Sequence, residues 1–104
     1  MHYIKITMKI VVADKKLEKW LKDSGELKCM LGTRRAELLK VRIKQIFIAS
    51  SLEELRHQPG HFHPLTGDRA GQWACNLDQP YRLIMECRKD GEEYIVIIEI
   101  VDYH

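Results

Sequence analysis

The rhythm of hydrophobic and polar positions changes midway along the chain. Residues 3–12 alternate and then turn apolar, which predicts a first strand. Asp14 is placed to cap a short helix reaching about Lys22, with Leu17, Trp20 and Leu21 on its inner face. Ser24-Gly25 reads as the end of that helix. Thr33 caps a longer helix over 34–48, where Ala36, Leu39, Ile43, Ile46 and Phe47 form one apolar stripe. Ser51-Leu52-Glu53-Glu54 has the form of a capping box and predicts a short third helical turn, stopped by Pro59-Gly60.

Beyond Gly60 the period becomes two. Residues 61–65 and 72–77 predict strands, the second with Trp73, Cys75 and Leu77 on one side and Gln72, Ala74 and Asn76 on the other. After the turn Asp78-Gln79-Pro80, residues 81–88 put Leu83, Met85 and Cys87 on one face. Arg82, Ile84, Glu86 and Arg88 fall on the other. Asp90-Gly91 is a hairpin signal, and residues 94–101 form a β-branched run suited to a strand covered on both faces. The order is strand, helices, then three or four strands. The expected fold is α+β: a small, mainly antiparallel sheet with two N-terminal helices packed on one face. With no segment left over, the other face of the sheet is expected to stay open and to hold any site.

At 104 residues, 45% hydrophobic and 31% charged, the chain is expected to be one domain over residues 1–104. No apolar run approaches the roughly 20 residues of a membrane span, and the start lacks the order of a signal peptide. Both point to a cytoplasmic protein without a membrane partner. Cys29, Cys75 and Cys87 are odd in number and irregularly spaced, which excludes a disulfide framework, and Cys75 and Cys87 read as small core residues. The net charge of +2 hides an asymmetry: residues 1–56 hold 13 Lys/Arg against 7 Asp/Glu, and residues 57–104 hold 4 against 8. The basic half is densest around Arg34, Arg35, Lys40, Arg42 and Lys44. Such a helix is either an electrostatic footprint for nucleic acid or an ordinary solvated face.

Polar residues of the second half gather on the open face. His61 and His63 share one side of a short strand, Arg82 alternates away from the core, and Asp102-Tyr103-His104 follow the last strand. Histidines, an arginine and a tyrosine suit RNA cleavage by its own 2′-hydroxyl. That reaction needs a base for the 2′ proton, an acid for the departing 5′ oxygen, and a cation for the phosphorane. It needs no metal or other cofactor. Each residue also has a plain reading. A lone histidine is usually a surface residue, and Arg82 is placed to pair with Glu86 or Asp102 across the sheet. His57, His61, His63 and His104 match no familiar metal-ligand spacing, and there is no Walker loop, nucleophile elbow or HExxH.

Three ordered blocks between His63 and His104 carry a resemblance. The stretch His63-Pro64-Leu65-Thr66-Gly67-Asp68-Arg69-Ala70-Gly71-Gln72-Trp73 resembles the His-Pro-Leu-x-Gly-Asp-Arg-x-Gly-x-Trp signature of HigB-type toxins, within the RelE/ParE superfamily. Pro80-Tyr81-Arg82-Leu83-Ile84 is similar to the Tyr/Trp-Arg-Leu/Ile strand of that family. Glu99-Ile100-Val101-Asp102-Tyr103-His104 is similar to its C-terminus.

The resemblance implies a RelE-like fold and ribosome-dependent cleavage of messenger RNA. It also implies a helix-turn-helix antitoxin of the HigA type, and operator DNA bound only through that complex. By matching positions it implies catalytic roles for His63, Arg82, Tyr103 and His104, with Asp102 orienting His104 or a base. It gives Arg34, Arg35, Lys40, Arg42, Lys44 and Arg69 a role in binding RNA or the ribosome. One departure stands out: Thr66 occupies a position where the family often has lysine, and Arg69 is the nearest substitute cation. Two other readings stay open. One is a ParE-like inhibitor of DNA gyrase, and the other a weak or inactive toxin serving as corepressor with its antitoxin.

Overall fold

The computed structural model describes residues 8–103. His104, expected to be catalytic, and the first half of the first predicted strand lie outside the described residues. The order is β1 (Lys9–Val12), α1 (Lys15–Leu21), α2 (Ser24–Leu31), α3 (Thr33–Ile48), a 3₁₀ turn (Glu53–His57), β2 (His63–Pro64), a 3₁₀ turn (Gly67–Arg69), β3 (Gln72–Asn76), β4 (Tyr81–Asp90) and β5 (Glu92–Asp102). The strands form one sheet in the order β1-β5-β4-β3-β2. Every described pairing is antiparallel except β1 with β5, which run parallel. The α+β fold is as the alternation predicts.

Three helices stand where two were expected. The Asp14 side chain accepts from Leu17 N at 3.0 Å and starts α1 as predicted. The chain then restarts immediately. Asp23 accepts from Gly25 N at 2.9 Å and Glu26 N at 3.2 Å, so Ser24-Gly25 opens α2 and does not close α1. Gly32, at φ +85°, both ends α2 and begins α3, a backbone state that costs glycine little. Thr33 is thus the first residue of α3 and makes no capping hydrogen bond. The capping box forms in part: Ser51 Oγ accepts from Glu54 N at 3.2 Å, while the Glu54 carboxylate reaches Ser50 N at 3.0 Å.

The core lies between the helices and one face of the sheet. Leu17, Leu27, Ala36, Leu39 and Ile46 meet Leu55, Phe62, Cys75, Leu83, Met85, Ile95 and Ile97, all nearly inaccessible. Two residues expected there are not. Phe47 is exposed, because it lies on the flank of the α3 stripe centred on Leu39 and Ile46. Cys87 is also exposed: β3 begins opposite Glu86, so β4 has lost its neighbour one residue further on. Cys75 is buried as predicted, and burial pushes its thiol up to about 12. Among the described residues no helix is long and apolar enough to cross a membrane.

Candidate functional site

The sheet face away from the helices is where His63, Arg69 and Arg82 fall. It is not bare. Ala74, Ile84 and Val96 are buried yet do not belong to the helix-side core. Cross-strand register gives this face its rows. His63 lies opposite Ala74, Ala74 opposite Ile84, and Ile84 opposite Glu99. The adjacent row holds Asn76, Arg82 and Val101. His63 and Arg82 are therefore two strands and one two-residue step apart, about 12 Å between Cα atoms at ordinary strand spacing.

β2 is shorter than predicted because His61 takes a positive φ of 51°, which takes it out of the strand. The turn places the His61 carbonyl 2.8 Å from His63 Nδ1 and brings the two rings into a tilted contact with centroids 4.5 Å apart. His63 is thus oriented through Nδ1, with Nε2 left for other work. Arg82 folds back on the preceding turn. One guanidinium nitrogen donates to Gln79 Oε1 at 3.2 Å and to the carbonyls of Pro80 and Tyr81, each at 3.3 Å. Its Cζ stands 6.0 Å from the ring centroid of Tyr103, which is exposed, and Tyr103 N donates to Pro80 O at 3.1 Å. The 79–82 turn therefore gathers Arg82 and Tyr103 at one corner. Asp102 ends β5 beside them, opposite Tyr81.

Arg69 crosses the face. It donates to Gln72 Oε1 on β3 at 2.8 Å and to Glu99 Oε2 on β5 at 3.0 Å, spanning β4 between them. Gln72 and Glu99 were not among the residues expected at the site. A single acid inside the apolar run 94–101 was the available signal for Glu99.

The five basic residues of α3 divide into two groups. Arg35 and Arg42 hold the loops that carry the site. Arg35 grips Asp78 with two hydrogen bonds, 2.9 and 3.1 Å, and stacks 3.4 Å from the Tyr81 ring centroid, which fixes the turn before Arg82. The Asp78 hydrogen bond raises the Arg35 pKa above its ordinary value. Arg42 donates to Asn76 O at 2.8 Å and to Gln45 Oε1 at 3.0 Å, and Gln45 in turn donates to Pro59 O at 2.9 Å. That chain of contacts fixes the loop before His63. Arg34, Lys40 and Lys44 are exposed on the helix side of the sheet, where Lys40 also donates to Ser24 Oγ.

A cavity of about 640 Å³ lies elsewhere, over Lys9, Val11, Arg88, Tyr94 and Val96. The site is an open face and not a pocket. Among the described residues no cluster of three or more His, Cys, Asp or Glu is placed to hold a metal ion.

No family model matches the chain, and no curated protein does. Among solved structures the chain is similar to a YoeB/ParE toxin from Agrobacterium tumefaciens. The match has a TM-score of 0.57 and 19% identity, and covers 93% of this chain and 100% of that one. At that identity the likeness is one of fold. What the chain shares with that toxin is the fold, which here has three helices and a five-stranded sheet among the described residues.

Proposed function

We propose that this chain, acting as one domain, is the toxin of a type II toxin–antitoxin pair, a HigB-type endonuclease that cuts messenger RNA on the ribosome. The observation that carries this reading is that His63, Arg69 and Arg82 share one open sheet face, with Tyr103 beside Arg82 at its corner. The HigB-like motifs between His63 and His104 imply catalytic roles for His63, Arg82 and Tyr103 and an RNA-binding role for Arg69, and the likeness in fold to a toxin supports the reading.

In the proposed reaction the 2′-oxygen attacks the adjacent phosphorus while its proton passes to a base. The bond to the 5′-oxygen breaks as an acid protonates it, leaving a 2′,3′-cyclic phosphate and a 5′-hydroxyl. His63 and His104 divide the acid and base work. Arg82 stabilises the phosphorane. Tyr103 stacks on an unpaired base, and Asp102 orients His104 or a base. The reaction needs no metal or cofactor. His63 and Arg82 stand apart on the sheet, which fits RNA entering as an extended strand with the ribosome setting its path.

The exposed Arg34, Lys40 and Lys44 lie on the opposite side of the sheet from Arg82. A short RNA cannot touch both. A ribosome can, and phosphate contacts there supply sequence-independent docking. The proposed cellular partners are a helix-turn-helix antitoxin of the HigA type, with operator DNA bound through that complex, and the proposed location is the cytoplasm.

The separation of His63 from Arg82 also favours a second reading, gyrase inhibition by binding alone. Induced expression of the parent, His63→Ala and Arg82→Ala chains separates the two. Under the nuclease reading, growth arrest is accompanied by falling translation and is lost in both variants. Arrest that persists in both variants, with inhibition of gyrase supercoiling by the purified protein, overturns it.

A further inference from the structure

We propose that Glu99 is a positioning residue that holds the Arg69 guanidinium over the sheet as a fixed phosphate-binding group for single-stranded RNA. This inference rests on the nuclease reading. Arg69 ends a 3₁₀ turn and would be free to sample many rotamers, yet two acceptors on different strands fix its fork. Gln72 takes one nitrogen at 2.8 Å and Glu99 the other at 3.0 Å. Of the five guanidinium N–H donors, these bonds commit two and leave the rest for an anion. The Arg69 side chain is 33% exposed, so an incoming phosphate can reach it.

The setting strengthens such a contact. Ala74 and Ile84, each 0% exposed, form an apolar floor beneath the bridge, where water competes less for the charge. Position matters as well. The bridge runs from Gln72, in the row before that of His63, to Glu99 at the far end of the His63 row itself, and Arg82 lies in the row beyond. A strand of RNA laid along β4 therefore meets the Arg69 guanidinium where the chain enters the His63 row and Arg82 one row further on. Glu99 acts through Arg69: it fixes the fork and lowers its net charge. An amide at position 99 keeps the acceptor and removes the opposing charge, whereas alanine removes both.

The test is binding of a 2′-O-methyl single-stranded oligonucleotide, which cannot be cleaved, to the full chain at fixed low salt, with KM and kcat on programmed ribosomes in parallel. Arg69→Ala should weaken binding about tenfold or more, the scale of losing a charge-assisted hydrogen bond. Glu99→Ala should weaken it severalfold, with the change in KM and not in kcat. Glu99→Gln should bind as tightly as the parent or tighter. Parent-like binding by Glu99→Ala, or Glu99→Gln as weak as Glu99→Ala, overturns the assignment. If Glu99→Ala does not fold, parent-like binding by Arg69→Ala overturns it instead. The predicted binding pattern without cleavage by any variant defeats the nuclease reading and supports this site. Cleavage with unchanged binding does the reverse.

Discussion

Arg35 is the sharpest place to separate a structural cation from a docking cation. Its guanidinium makes a two-point contact with Asp78, with only 21% and 20% of the two side chains exposed, and lies against the Tyr81 ring. Exposed ion pairs contribute little, but a bidentate, largely covered pair is stronger. Taking about 1.5–2 kcal/mol for the charged hydrogen bonds and about 0.5–1 for the cation–π contact, Arg35→Ala should cost about 2–3 kcal/mol. For a domain near 100 residues that lowers Tm by about 10 °C. Asp78→Asn keeps the shape and drops the charge, so it should cost about 1 kcal/mol. A double-mutant cycle between Arg35→Ala and Asp78→Ala should give a coupling of about 1–2 kcal/mol. Calorimetry and urea unfolding measure both. A Tm for Arg35→Ala within about 2 °C of the parent, together with lost ribosome affinity, refutes the reasoning and returns Arg35 to the docking surface.

Three further predictions test other parts of the account. Leu39→Ala, at a fully buried position on α3, should destabilise by about 2–4 kcal/mol in urea unfolding; under 1 would mean the helix–sheet core is not packed as described. Asp23→Ala should cost about 1 kcal/mol and reduce helicity by circular dichroism, since Asp23 caps two N–H groups of α2; no change would mean that α2 needs no cap. Partial burial of its sulfur, then the hydrogen bond to Glu93 at 3.2 Å and that carboxylate's charge, push the Cys87 thiol up to about 11. Alkylation of Cys87 should therefore be slow at pH 8 although the residue is exposed, and Glu93→Gln should move its pH midpoint down; an ordinary thiol midpoint in the parent would contradict the contact.

Much of the fold was legible because its signals are local. Asp14 before an apolar helix face, the alternation of residues 72–77 and 81–86, and Asp90-Gly91 each specify their own few residues. The second helix was missed because Ser24-Gly25 serves equally well at a helix start or end, and only the Asp23 capping bonds decide. The parallel pairing of β1 with β5 joins distant ends of the chain, which no local pattern encodes.

The site was legible on the sheet face, where alternation put Arg82 opposite Leu83 and Met85. The second-half motifs led to His63 and Tyr103. What could not be read was how the cations divide. Arg35 and Arg42 look like Arg34 and Lys44 along α3, yet they reach partners 43 and 34 residues away. Arg69 likewise finds Glu99 30 residues on. Their roles depend on tertiary contacts, which composition and spacing do not carry.

The most direct test of the central claim is to map new 5′ ends on a defined message after adding the purified chain, with and without translating ribosomes. The account predicts 5′-hydroxyl ends inside the reading frame only when ribosomes are present, and their loss in Arg82→Ala. No new ends under either condition, from a protein that still arrests growth, would contradict it.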